Sequence, residues 1–161
     1  MDRIYYIIGR IVQKTQELEK NLEKVVKYSE IVGESERNRD FGIKDFKIAV
    51  ESAEYLEQKM ETMTLGQRIH IICETRCFSK TEADELKKAL EKRNYFAHEY
   101  FKYTPFEDFT PADFEDEVKA LKEFFDSVVV LNKKICLYLN KYERDYNALK
   151  VRFGQKVWSE K

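Results

Sequence analysis

Two stretches at opposite ends of this chain carry apolar residues at alternating spacings of four and three. The first runs Ile4, Ile8, Ile11, Thr15, Leu18, Leu22, Val25, Ser29, Val32. The second runs Phe114, Val118, Leu121, Phe125, Val128, Asn132, Ile135, Leu139, Tyr142, Tyr146, Leu149. Such spacing winds into one stripe along an α-helix. A long helix with one apolar stripe must cover it with other helices. Two of them bracketing shorter ones predict an all-α, up-and-down bundle of four to five helices.

The first helix is expected over about residues 2–32, with Gly33 ending it and a polar loop reaching Gly42. A second follows, with Phe46, Ala49, Val50, Ala53, Leu56 and Met60 on one face. Thr64 and Gln67 form a capping box for a third, whose inner face is Leu65, Ile69, Ile72 and Cys73. Ser79 and Glu82 form a cleaner box for a fourth. Its stripe is Ala83, Leu86, Leu90, Arg93, Ala97 and Tyr100, and it ends before Pro105. Thr110-Pro111 restarts the chain as one very long helix, or as two joined by a kink, until Gly154. The whole reads as one domain, 1–161, with about the last ten residues, Trp158 included, loosely ordered. Asn132 within the last stripe is a tolerated polar position or one that fixes register at a dimer contact.

The composition agrees with helices: five Gly, two Pro and 37% charged residues in 161. No run approaches the roughly 20 apolar residues of a membrane helix, and the N-terminus lacks the form of a signal peptide. Three cysteines without framework spacing point to a reducing cytoplasm. The net charge of −1 does not advertise nucleic-acid binding. Its distribution is uneven: +2 over 67–102, −6 over 103–126 and +5 from 127 onward. Solvated helix faces account for this, and an acidic patch for a basic partner is the sharper alternative.

Only two histidines are available for proton transfer near neutral pH. His70, Cys73 and Cys77 fall on one helical face, but no fourth metal ligand accompanies them, so a packed face is the simpler reading. There is no glycine-rich phosphate loop and no nucleophile elbow. That leaves Arg93-Asn94-Tyr95-Phe96-Ala97-His98-Glu99-Tyr100. Arg93 is a fixed cation with a fork of donors suited to phosphate. A histidine at 98 can take a proton from a 2′-hydroxyl. Asn94, four residues earlier, projects the same way and can orient the imidazole. Arg93 and His98, five apart, differ by about 140° around a helix. They converge through a distorted helix end or through a second chain on a twofold axis. The plainer reading is a surface ion-pair arginine and a packed histidine.

Residues 91–101 resemble the Arg-Asn-x-x-x-His signature of the HEPN superfamily. Arg-x4-His-x-Tyr is similar to the form in HepT-type toxins, and Leu65-Gly66-Gln67 through Leu86, Ala89 and Leu90 is similar to the segment preceding it. The resemblance implies a HEPN-like fold and a metal-independent endoribonuclease, without cofactor, whose composite site lies at a homodimer interface. Arg93, Asn94 and His98 take the catalytic positions, and RNA is the substrate. Tyr100 matches the tyrosine that a partner nucleotidyltransferase antitoxin modifies with AMP; an interior aromatic is the alternative for it. The long charged C-terminal helix departs from the compact HepT-type pattern, which leaves open a catalytically silent module that binds a nucleotide or a protein.

Overall fold

The structure is a computed structural model that describes residues 1–74 and 77–154. The described residues are all-helical, with no strand. The α-helices are α1 (Asp2–Arg37), α2 (Ile43–Glu61), α3 (Leu65–Glu74), α4 (Lys80–His98), α5 (Tyr100–Tyr103) and α6 (Pro111–Leu149). A 3-10 turn, Phe106–Asp108, precedes α6 and a π turn, Lys150–Gly154, follows it. Trp158 lies outside the described residues.

The two stripes meet, and α1 against α6 is the most extensive packing in the molecule. Arg3 pairs with Glu115, Asn21 with Asn132, and Tyr28 stacks on Tyr146, so α1 and α6 run parallel. The remaining long helices run against them. Lys27 meets Glu57 of α2, and Glu19 meets Arg93 of α4. Leu18, Leu22, Val25, Leu86, Leu90 and Ile135 form the central core. Ile4, Ile8, Ile11, Phe96, Tyr100, Val118 and Leu121 fill the end nearest the start of α1 and α6. Ile31, Phe46, Ala49, Ala53 and Phe153 fill the other. Among the described residues no helix is long and apolar enough to cross a membrane.

Asn132 is 2% exposed and bonds within the chain. Its Nδ2 donates to Glu17 Oε1 (3.0 Å) and its Oδ1 accepts from Asn21 Nδ2 (3.0 Å). Buried amide groups need such partners, and these fix the register of α6 on α1.

The two expected capping boxes form, and Asp113 completes a third with the expected cap Thr110. Gln67 accepts from Thr64 N–H, Glu82 from Ser79 and Asp113 from Thr110. Glu82 does more: Lys134 (2.9 Å) and the Tyr138 hydroxyl (2.8 Å), both of α6, also reach it. Lys134, then Ser79 and Tyr138, hold its carboxyl down to about 2. A depressed carboxylate stabilises the fold above its ordinary value, 4.5, and that stability is lost as pH falls toward 2. Glu82→Gln is expected to cost about 2 kcal/mol at neutral pH and much less below pH 3. Urea titrations at both pH values check this; an equal loss at both would place the effect elsewhere.

Two expectations are corrected. The helix does not stop at Gly33 but runs to Arg37: Gly33 takes no left-handed conformation, a helical glycine costs only about 1 kcal/mol, and Arg37 pairs with Glu34 across the added turn. It ends at Asn38, whose backbone is extended and whose Oδ1 accepts from Asp40 N–H. The fourth helix does not run on to Pro105. It stops at His98, and Glu99 (φ −124°, ψ −27°) breaks it before the single turn of α5. The inward stripe passes through Ala89, Arg93, Phe96 and Tyr100, spaced four, three and four, so the expected Ala97 is exposed and Phe96 takes its place. No kink divides α6.

Gly9 is exposed in the second turn of α1, and a Cβ there meets nothing within 4 Å. Gly9→Ala is expected to raise stability by about 0.5–1 kcal/mol, or roughly 1–4 °C in melting temperature. A scanning calorimetry trace with an unchanged or lower midpoint would contradict this.

Candidate functional site

Helix α4 carries Arg93, Asn94 and His98 in its last two turns, and all three are in regular helix. Asn94 and His98, one turn apart, are both open to solvent. Arg93 is not. Its side chain is 16% exposed and turns toward α1, where its Nε lies 3.3 Å from Glu19 Oε1. The chain therefore brings Asn94 and His98 together and directs Arg93 to a different side.

Glu19 centres a small ion cluster that joins α1, α3 and α4. Arg68 of α3 approaches Glu19 at 4.0 Å and pairs more closely with Glu23, at 2.8 Å. The charges are near one another, yet Glu19 Oε1, Arg93 Nε and Arg68 Nε are buried with no aligned hydrogen bond. The pairing is thus coulombic more than directional, which favours position less strongly than a linear bond does. Burial pushes the Glu19 carboxyl above the usual carboxylate range, and Arg93 and Arg68 pull it back.

Tyr100 is buried at 3% exposure. Its hydroxyl donates to Glu117 Oε1 of α6 at 2.6 Å, and its ring touches Phe96, Phe101 and Phe106. Burial, then the Glu117 carboxylate, pushes the phenol well above its ordinary value. An adduct on this oxygen requires the Glu117 bond to open and the ring to leave its neighbours.

His70 is exposed, with Nε2 3.3 Å from Glu74 Oε1, whereas the Cys73 thiol donates to the Ala83 carbonyl. The two side chains are engaged apart from each other. No group of three His, Cys, Asp or Glu residues arranged for a metal occurs among the described residues.

Glu19 and Glu117 are the partners that sequence reasoning missed. Glu19 directly follows Leu18 of the apolar stripe, and an acid on the shoulder of a stripe is a usable signal for a buried charge. Nothing in the sequence names Arg93 as its partner. No protein-family model, curated protein or solved structure matches the chain.

Proposed function

We propose that this chain is a metal-independent endoribonuclease of the HEPN type, with a composite site completed by a second copy of itself. The observation that carries the reading is the placement of Asn94 and His98 one turn apart on an open face where α4 stops. His98 takes the 2′-hydroxyl proton of a ribose. The 2′-oxygen attacks the adjacent phosphorus, and the bond to the 5′-oxygen breaks. The products are a 2′,3′-cyclic phosphate and a 5′-hydroxyl; the leaving 5′-oxygen takes a proton from water, and His98 returns its own to solvent. Arg93 of either copy stabilises the charge on the phosphoryl oxygens, exchanging the Glu19 carboxylate for phosphate as it does so. Asn94 orients the imidazole. In the same reading the protein is a toxin or defence component restrained by a cognate partner, such as a nucleotidyltransferase acting on Tyr100.

One observation favours a second reading. Arg93 already has a carboxylate beside it and is largely covered, which suits a catalytically silent module holding a nucleotide or a partner protein. Incubating purified protein with RNA in EDTA separates the two. Cyclic-phosphate ends that vanish in His98→Ala support cleavage. Intact RNA, or equal cleavage by His98→Ala, overturns it.

A further inference from the structure

Helix α6 carries a second stripe beside the one that α1 covers. Glu117, Ala120, Phe124, Ser127, Leu131 and Lys134 follow one another at spacings of three and four, so they share one face. The first half of this face forms a shallow groove with the turn before α6, lined by Asp108, Asp113, Asp116 and Glu117. The second half forms a groove with α4, floored by Phe124, Val130 and Leu131 and edged by Lys88, Lys92 and Lys134. Charge therefore changes sign along a single face, acidic near the start of the helix and basic beyond its middle. The basic half is tempered by Glu85, which lies among the lysines, and by Glu82, which holds Lys134. Lys88, Lys92 and Asp116 are open to solvent.

The middle of the face allows close approach. Ala120 and Ser127 are small and exposed, and Phe124 between them is half-buried. The Lys92 ammonium rests 4.5 Å from the centre of the Phe124 ring. Val130, at 66% exposure, leaves an apolar side chain uncovered at the rim of the lysine groove.

We propose that this face is a contact between two copies of the chain, with α6 of one lying antiparallel to α6 of the other across a twofold axis. An isologous contact requires a surface complementary to itself. With the axis midway between Ala120 and Ser127, residues 113–117 of each copy lie level with 130–134 of the other. Asp108 and Asp116 then oppose Lys88 and Lys134 of the second copy, in both directions at once. Glu123 falls near its own counterpart, with Lys119 one turn away to offset it. A nucleic acid, or a peptide of one charge sign, matches one half of the face and is repelled by the other, which is what favours a second copy. Lys88 and Asn94, six residues apart, differ by about 120° around α4, so the pairing leaves Asn94 and His98 open. The contact is thus independent of the ribonuclease reading and separate from the one that completes its composite site.

Sedimentation velocity of the full chain over a concentration series tests it. Asp116→Lys and Lys88→Glu are each expected to weaken self-association roughly tenfold or more, by setting like charges against each other. Combining the two is expected to restore most of the affinity. Ala120→Arg, which crowds the axis, weakens it as well. All three positions are exposed, and circular dichroism verifies that the variants fold. A monomeric unmodified chain overturns the contact. So does a dimer that none of the single changes weakens, since it then pairs through another face, and so does a double exchange as weak as the single ones. If association responds as expected while the unmodified chain leaves RNA intact, the ribonuclease reading falls and the contact stands.

Discussion

Glu19→Ala is expected to destabilise the fold by about 3–5 kcal/mol, the cost of stranding buried charge. Glu19 is 8% exposed and faces two guanidinium groups, of which only Arg68 has a second carboxylate close by, Glu23. Without Glu19, the covered Arg93 keeps its charge and loses its counter-charge. The aliphatic part of the lost side chain matters less than this. Urea denaturation measures the loss directly. Adding Arg93→Met to Glu19→Ala is expected to restore part of it, because a methionine asks for no partner. A loss under about 1 kcal/mol, or strict additivity of the two changes, would show that the pair is indifferent to the fold.

The same pair decides which variant probes catalysis cleanly. His98→Ala is expected to lower RNA cleavage by about 10²–10⁴, the usual contribution of a general acid or base. The melting temperature stays within about 1 °C, because an exposed residue at a helix end carries little packing. Arg93→Ala confounds the two, since it disturbs the ion cluster as well as any phosphate contact. Arg93→Lys keeps the charge beside Glu19 and loses the fork of donors, so it reports on the chemistry with less damage to the fold. Cleavage rates and unfolding midpoints from the same preparations check all three. A His98→Ala protein that melts early would mean that the histidine is structural.

Much of the fold was legible because burial imposes periodicity. Ile4, Ile8, Ile11, Leu18, Leu22, Val25 and Val32 are all buried, as their spacing predicts, and so are Val118, Leu121, Val128 and Ile135. The capping boxes were legible because they are local. Gly33 misled because a glycine inside a helix costs only about 1 kcal/mol, and here it takes no left-handed turn while Glu34 and Arg37 pair beyond it. The break at Glu99 was not legible: nothing at that position forbids helix, and the aromatic packing of Tyr100 and Phe101 lies between distant segments. For the site, helical spacing places Asn94 with His98 and separates Arg93. It could not reveal that Arg93 turns to Glu19, a partner 74 residues earlier in the chain.

The parallel pairing of α1 with α6 also has a kinetic side. The stripe on α1 finds its largest cover in a helix that begins 74 residues beyond its own end. At ribosomal speeds that gap is on the order of ten seconds. Throughout it, a newly made first helix shows Ile4, Ile8 and Ile11 to whatever is nearby, with α2 and α4 giving partial shelter. Contacts so far apart in sequence also slow the closing search. The protein is therefore expected to depend on chaperones during its synthesis more than its small size suggests, and shortening that interval by moving α6 ahead of α1 would speed its maturation.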